Sequence, residues 1–209
     1  MSELYADDVF FFKAPFTGIL AGPTMCGKSV WTLKLVEAMQ TLIRPTPERV
    51  IWCRGIKTDN KLPPHITVIE GLPENFESIP HNSLLILDDL QEECSKSSEV
   101  SNLYVRYAHH RRISVLSLQQ NLFASKSRTQ RVNSTYIIFM RNPSDKKQIS
   151  TLSQQVFPQH RNFLTNVMDD ACKEPFQYFV LDLHATTSEH LRVVTRIFDD
   201  DGPSIYYLP

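Results

Sequence analysis

Short apolar runs alternate along this chain with stretches in which apolar residues recur every three or four positions. A run of four to eight apolar residues is typical of a buried strand, whereas the wider spacing is typical of an amphipathic helix. Strands are predicted at 16–21, 49–53, 66–69, 83–89, 113–118 and 133–140. Helices are predicted at 28–44, 98–110, 149–157 and 160–172. Because strands and helices alternate, we expect an α/β fold with a mostly parallel sheet flanked by helices.

The end of the chain has a different pattern. Apolar and polar residues alternate at 176–183 and at 191–198, on either side of a polar connection. This alternation predicts a β-hairpin or a pair of strands at the edge of the sheet. With 209 residues the chain is long enough for one hydrophobic core. We therefore expect a single domain over 1–209, with a core of about 12–160 and a C-terminal β-hairpin appendage within about 161–209.

The segment that follows the first predicted strand fits the pattern G-x-x-x-x-G-K-[ST] and opens a predicted helix. Its eight residues are Gly22, Pro23, Thr24, Met25, Cys26, Gly27, Lys28 and Ser29. In such a P-loop, glycines let the backbone amides wrap around phosphate oxygens, and the positive end of the helix dipole adds to the attraction. We expect Lys28 to reach the β- and γ-phosphates of ATP, and the Ser29 hydroxyl to be a ligand of Mg²⁺.

Two carboxylates end the most apolar predicted strand. Four consecutive apolar residues lead into Asp88 and Asp89, which is typical of a central parallel strand with acids at its carboxyl end. This is the Walker B pattern, and an open α/β sheet places such a strand end beside the phosphate site. We expect Asp88 to hold Mg²⁺ through its water shell, and Asp89 to orient or deprotonate the attacking water.

A further strand lies between the P-loop unit and the Walker B strand, and a later strand ends in amides. This order favours a hydrolysing P-loop NTPase of the ASCE or RecA-like kind over a small kinase or a GTPase switch. The amide of Gln119 or Gln120 is expected to act as a sensor of the γ-phosphate. The chain contains no N-K-x-D tetrapeptide for guanine recognition, so ATP is favoured over GTP.

The net charge of −1 conceals a basic block in the middle of the chain. Residues 101–150 hold nine Lys and Arg but only one acid, Asp145. Such a block predicts a local patch for phosphate, on nucleotide or nucleic acid. The four cysteines form no C-x-x-C pair, which favours reduced thiols in an intracellular protein. No apolar run reaches eighteen residues, so no membrane span is predicted.

Four segments together carry a family resemblance: GILAGPTMCGKS, LLILDDL, AHHRRISVLSLQQNLF and NSTYIIFMRNPSDKKQI. They resemble the packaging ATPases of Polinton/Maverick-type elements and related large double-stranded DNA viruses, which belong to the FtsK/HerA superfamily of DNA pumps. The resemblance spans roughly residues 12 to 160. It implies a homo-oligomeric ring, a hexamer or a pentamer, that hydrolyses ATP between neighbouring subunits and moves viral double-stranded DNA into a preformed capsid.

The resemblance also implies partners and further site residues. The capsid vertex proteins would be partners, inside the host cell, in its nucleus or a viral factory, with the virion as an alternative location. An arginine acting on the neighbouring subunit would be Arg111 or Arg112, with Arg141 as a rival. Many relatives have a longer glutamate where this chain has Asp89, so Glu92 or Glu93 would share its task. Within the basic block of 101–150, Lys126, Arg128 and Arg131 are the predicted contacts to the DNA backbone.

Two other functions remain open from the sequence. One is a non-motor P-loop enzyme, such as a nucleoside or nucleotide kinase, and the other is a virion assembly protein that depends on ATP.

Overall fold

The computed structural model of the chain describes residues 2–3, 9–55, 62–123 and 128–209. Within this part of the chain there are twelve strands, ten of which form one sheet. The strands are β1 (Ser2–Glu3), β2 (Phe12–Lys13), β3 (Thr17–Ala21), β4 (Ile43–Arg44), β5 (Arg49–Arg54), β6 (Ile66–Glu70), β7 (Ser83–Asp88), β8 (Ser114–Gln119), β9 (Tyr136–Met140), β10 (Tyr178–Asp182), β11 (Val193–Thr195) and β12 (Ile205–Tyr207). The strands β2 and β4 pair separately, in a small parallel sheet of their own.

The order of strands in the large sheet is β1-β12-β11-β10-β9-β3-β8-β7-β5-β6. From β9 to β6 all neighbours are parallel, whereas β10, β11, β12 and β1 are added in antiparallel fashion at one edge. The predicted α/β fold with a mostly parallel sheet is therefore confirmed. The predicted C-terminal hairpin is β10 and β11, and β10 hydrogen-bonds to β9, so it extends the main sheet.

Helices cover both faces of the sheet. The α-helices are α1 (Lys28–Glu37), α2 (Met39–Leu42), α3 (Gln91–Lys96), α4 (Ser98–Asn102), α5 (Ala108–His110), α6 (Arg128–Val132), α7 (Lys147–Val156) and α8 (Phe163–Ala171). A π-helical turn, Leu103–Tyr107, joins α4 to α5, and short 3₁₀ turns lie at Phe76–Ser78, Glu189–Leu191 and Asp199–Asp201. Among the described residues, none of the helices has both the length and the apolar character that crossing a membrane requires.

Alternation along the strands divides the core into clusters on the two faces. On one face, Trp31 and Leu35 of α1 pack with Leu20, Leu116 and Ile138. On the other face, α7 and α8 cover β9 and β10, while α3, α4 and the π-helical turn cover β5, β7 and β8. The central strands β3, β7, β8 and β9 are buried along almost their whole length, which explains why their sequences read as continuous apolar runs.

The prediction of one helix over 28–44 is wrong at its C-terminal end. The helix α1 ends at Glu37, α2 ends at Leu42, and Ile43 and Arg44 form β4. This strand pairs with Phe12 and Lys13, some thirty residues earlier in the sequence. Helical periodicity cannot reveal such a pairing, because it depends on a distant segment.

Candidate functional site

The P-loop follows β3 at the carboxyl edge of the parallel strands, and close packing fixes its course. The Gly22 N–H donates a hydrogen bond of 3.1 Å to the carbonyl oxygen of Gln119 on β8. A Cβ at Gly22 would lie 2.6 Å from the Cys26 sulfur and 2.8 Å from the Met140 Cβ, so no larger residue fits there. At the start of α1, Gly27 has a φ of +97°, which an L side chain rarely adopts.

The side chain of Lys28 folds back over the preceding residues of the P-loop. Its ammonium donates hydrogen bonds to the carbonyl oxygens of Gly22, at 2.7 Å, and Pro23, at 2.8 Å. Thr24 and Met25 are exposed at the tip of the loop. Cys26 is a free thiol whose pKa is raised by burial in spite of the nearby Lys28 charge. A lysine held in this place brings its charge to the concave side of the loop, where phosphate oxygens bind.

Ser29 and Asp88 meet although they are far apart in the sequence. The Ser29 hydroxyl donates a hydrogen bond of 3.3 Å to Oδ2 of Asp88, at the end of β7. The indole N–H of Trp52, on the neighbouring strand β5, donates to the same oxygen at 3.2 Å. Burial raises the pKa of Asp88, and these two hydrogen bonds oppose that shift. A hydroxyl and a carboxylate side by side are the hard oxygen donors that Mg²⁺ prefers, so the residues fit this ion.

Asp89 leaves the strand with an unusual backbone. Its φ is +56°, and its side chain is exposed at the carboxyl edge. Gly55, which follows β5, donates its N–H to the carbonyl oxygen of Asp88 at 3.0 Å. A Cβ at Gly55 would lie 2.4 Å from the carbonyl oxygen of Asp89. Because glycine has no Cβ, the backbone of Asp88 and Asp89 can pass this close to Gly55.

Of the two candidate sensor amides, Gln119 is buried and Gln120 is exposed. The Gln119 side chain donates to Oε1 of Gln130 at 2.7 Å and to the Ser117 hydroxyl at 3.2 Å, away from the P-loop tip. Gln120 lines a small recess together with Gly22. The side-chain oxygen of Gln91, at the start of α3, accepts the Gln120 N–H at 3.2 Å.

Gln91 also donates its amide N–H to the carbonyl oxygen of Asn121 at 2.7 Å, so it connects the segment after β7 to the loop after β8. Sequence reasoning missed Gln91, Trp52 and Gly55. The one available signal for Gln91 was its position two residues after the carboxylate pair, which the sequence analysis did not use. Trp52 and Gly55 give no such signal, because only the strand register brings them to Asp88 and Asp89.

The alternatives to Asp89 lie on α3. Glu92 forms an exposed ion pair of 2.6 Å with Lys96 on the same helix, and Glu93 is exposed. Asp89 is the carboxylate that directly follows Asp88 at the strand end.

The arginine pair lies at the other end of the sheet. Arg111 and Arg112 precede β8, so they are at the amino edge of the parallel strands. Arg111 donates to the carbonyl oxygens of Glu77 and Ile79, the latter at 3.1 Å. Arg112 has a φ of +53°, is exposed, and lines a cleft with Pro47. The arginine pair therefore lies away from the P-loop of its own chain.

The rival arginine, Arg141, follows β9 at the carboxyl edge. Its N–H donates a hydrogen bond of 3.0 Å to the carbonyl oxygen of Gln177, and its side chain is half-buried.

The predicted DNA contacts fall on and before α6. Lys126 lies outside the described residues, and Arg128 is exposed at the first position of the helix. Arg131 places its guanidinium 4.4 Å from the ring centroid of Phe123 and donates to Gln155 at 2.9 Å. Burial, and then repulsion by Arg128, lowers the pKa of Arg131. Arg128 is thus the freer of the two described cations.

The sheet order, the loop after β3 and the acid at the end of β7 together define the fold of a P-loop NTPase. Among solved structures, the fold is similar to the genome-packaging NTPase B204 of Sulfolobus turreted icosahedral virus 2 in complex with ATP-gammaS. The TM-score is 0.56 at 10% identity, over 82% of this chain and 94% of that one. B204 of Sulfolobus turreted icosahedral virus, described as a DNA-packaging ATPase, gives a TM-score of 0.55 at 11% identity, over 83% and 95%.

A third similar structure is the cytoplasmic domain of the type VII secretion ATPase EccC of Thermomonospora curvata. It gives a TM-score of 0.52 at 15% identity, over 92% of this chain and 25% of that one. No family model matches the chain, and no curated protein matches it in sequence. The structural neighbours are thus of the kind that the sequence resemblance predicted, and at these identities the likeness shows a shared fold.

Proposed function

We propose that this chain hydrolyses ATP to drive double-stranded DNA into a viral capsid. The observation that carries the proposal is the contact of 3.3 Å between Ser29 and Asp88, beside the folded-back Lys28. Two segments that are distant in the sequence supply what a metal-bound triphosphate needs, at the edge where α/β sheets bind ligands. The description of a structural neighbour as a DNA-packaging ATPase favours this function among those of P-loop proteins.

Phosphate binding falls to the P-loop and Lys28. The ammonium of Lys28 donates to the carbonyl oxygens of Gly22 and Pro23. Phosphate oxygens would replace these carbonyls as acceptors, and an ion pair with a charged partner is the stronger interaction. The N-terminus of α1, a helix of ten residues, adds its partial positive charge at the same place.

Ser29 and Asp88 would hold Mg²⁺, Asp88 through water. When bound, the ion neutralises charge that develops on the phosphates during transfer. Trp52 keeps Asp88 turned towards Ser29, and a nearby cation would favour the charged form that burial disfavours. Asp89, exposed beside Asp88, would orient the attacking water and accept its proton.

The arginine that completes the site would come from a neighbouring subunit. Arg112 is the better candidate, because the guanidinium of Arg111 already donates hydrogen bonds to two backbone carbonyls. Since Arg112 is at the edge opposite the P-loop, it would serve a neighbour only if subunits pack with unlike edges together, as in a ring. The resemblance suggests a hexamer or pentamer that docks on capsid vertex proteins inside the host cell.

DNA binding would use the basic block around α6. Arg128 is exposed there, and Lys126, two residues earlier in the sequence and outside the described residues, carries the same charge. Backbone contacts of this type carry no base specificity, and they weaken steeply as salt rises because counterions are released on binding.

The test is ATP hydrolysis measured with and without linear double-stranded DNA, over a range of protein concentrations. We expect hydrolysis per subunit to rise with concentration and to rise again when DNA is added, with Lys28→Ala as the inactive control. Phosphorylation of a nucleoside or nucleotide acceptor would instead support a kinase. Assembly that needs ATP but proceeds unchanged in Asp89→Asn would support an assembly protein.

A further inference from the structure

An exposed aromatic side chain lies against the P-loop with no part in the mechanism above. Phe176 is in the loop between α8 and β10, and its side chain is 66% exposed. Its φ is +66°, a left-handed conformation that is rare for a bulky residue. A backbone held in this way at a ligand site is often part of how the site works.

The ring of Phe176 packs over the last glycine of the P-loop. Its Cδ1 atom lies 3.0 Å from the place where a Cβ of Gly27 would stand, and the Met140 Cε atom lies 3.5 Å from the same place. The loop is also fixed to the main sheet, because Gln177 accepts a hydrogen bond from the N–H of Arg141. The ring therefore stands at the start of α1 with an open face.

The strand order decides which end of the nucleotide faces this ring. The P-loop follows β3, with β8 and β7 on one side and β9 and β10 on the other. Asp88 ends β7, so the metal and the γ-phosphate belong to the β7 side. The α-phosphate and the nucleoside must then extend towards the β9 and β10 side, and the loop that carries Phe176 leads into β10.

We propose that Phe176 is the platform on which the base of the bound nucleotide stacks. This rests on the proposed nucleotide site and adds to it the part of the ligand that the P-loop cannot recognise. A phenyl ring offers a π face but no hydrogen-bonding group, so it holds a base by stacking and without reading its edge. Stacking of a base on an aromatic side chain changes affinity by on the order of tenfold or more.

The test compares two ligands that differ only in the nucleoside. Binding of MgATP and of magnesium tripolyphosphate is measured by titration calorimetry for the wild type, Phe176→Ala and Val68→Ala. Val68 is an exposed residue of β6, at the far edge of the sheet, and serves as the matched control. We expect Phe176→Ala to weaken MgATP by about tenfold or more and to leave tripolyphosphate unchanged, and Val68→Ala to change neither.

Phe176→Trp gives a second measurement that does not depend on truncation. The added indole should be quenched by MgATP but not by magnesium tripolyphosphate, beyond the change that Trp31 and Trp52 give in the wild type. If Phe176→Ala lowers the affinity for both ligands equally, or leaves the affinity for MgATP unchanged, the stacking role of Phe176 is wrong although the proposed nucleotide site is retained. Failure of the wild type to bind either ligand would overturn both.

Discussion

The two ends of the parallel strands hold their charged side chains in different ways. At the carboxyl edge, Lys28, Ser29 and Asp88 lie within hydrogen-bonding reach of the P-loop or of one another. At the amino edge, Arg111 is bound to backbone carbonyls and Arg112 is exposed beside a cleft. In the proposed site, the carboxyl edge would hold a metal-bound phosphate, whereas the amino edge carries two adjacent arginines on the far side of the sheet.

Under the proposed function, this difference would divide the labour between subunits. A single chain brings together the residues that would bind phosphate and metal, because Ser29 contacts Asp88 beside Lys28. The cation that would stabilise the transition state is at the wrong edge to serve its own P-loop. Each substitution at one edge should therefore affect a different step from a substitution at the other.

The largest expected effect is at the amino edge. Arg112→Ala should lower kcat of the assembled protein by on the order of 10³-fold or more, as expected for loss of an arginine finger. The affinity of the isolated chain for MgATP should not change, because Arg112 is far from its own P-loop. Steady-state hydrolysis and calorimetry check the two halves of this prediction.

Arg111→Ala is the matched control for Arg112→Ala. It removes hydrogen bonds to Glu77 and Ile79, so it should lower the free energy of unfolding by about 1–3 kcal/mol. Its effect on kcat should be far smaller than that of Arg112→Ala. If Arg111→Ala abolishes turnover at unchanged stability while Arg112→Ala is active, the assignment of the two arginines is reversed.

At the carboxyl edge, Asp88→Asn should weaken Mg²⁺-dependent binding by about 10- to 100-fold, as for other groups that hold a metal through its shell. The unliganded variant should nevertheless be more stable than the wild type at neutral pH. Burial raises the pKa of Asp88, so the folded state favours the protonated form and is destabilised when the carboxyl ionises. Metal titration and thermal unfolding measure the two effects.

The pH dependence has a definite sign. In the wild type, the free energy of unfolding should rise as the pH falls through the raised pKa of Asp88, because the buried carboxyl becomes neutral. This rise should be absent in Asp88→Asn. Asp170→Asn is the control, because hydrogen bonds from Lys173 and Tyr207 lower the pKa of Asp170. That substitution should not stabilise the protein at neutral pH, and a gain equal to that of Asp88→Asn would contradict the explanation.

The smallest of the three effects concerns the backbone under the carboxylates. Gly55→Ala would place a methyl group against the carbonyl oxygen of Asp89, which must shift. We expect a loss of about 1–3 kcal/mol in the free energy of unfolding and about a tenfold lower kcat, with MgATP affinity retained. Gly71→Ala, at a positive φ but with open space around it, should leave kcat unchanged.

The sequence was sufficient for most of the sheet, because its central strands are buried on both faces. The runs that predict β3, β5, β7 and β8 are apolar for that reason, and their bounds differ little from the observed ones. The end of α1 and the last strand, β12, were not predicted. The chain leaves the helical path after α2 because β4 pairs with the distant β2, and β12 is a strand of three residues that pairs with β11 and with β1 at the other end of the chain. Neither is marked by a local pattern of sufficient length.

The same limit applies to the site. Segments with fixed spacing, the P-loop and the carboxylate pair, could be recognised from the sequence alone. Trp52, Gly55 and Phe176 could not, because each reaches the site through packing between segments that are far apart in the chain. The distinction between Arg111 and Arg112 also needed the structure, since only the contacts with Glu77 and Ile79 separate two adjacent arginines.

The end of β8 has a mechanical consequence. The backbone carbonyl of Gln119 holds Gly22 of the P-loop, while its side chain holds Gln130 in α6. Gln119 thus connects the P-loop to the helix that carries Arg128, and through it a displacement of one would act on the other. If α6 binds DNA as proposed, nucleotide-driven movement of the P-loop and the DNA contact would be coupled through the side chain of this one glutamine.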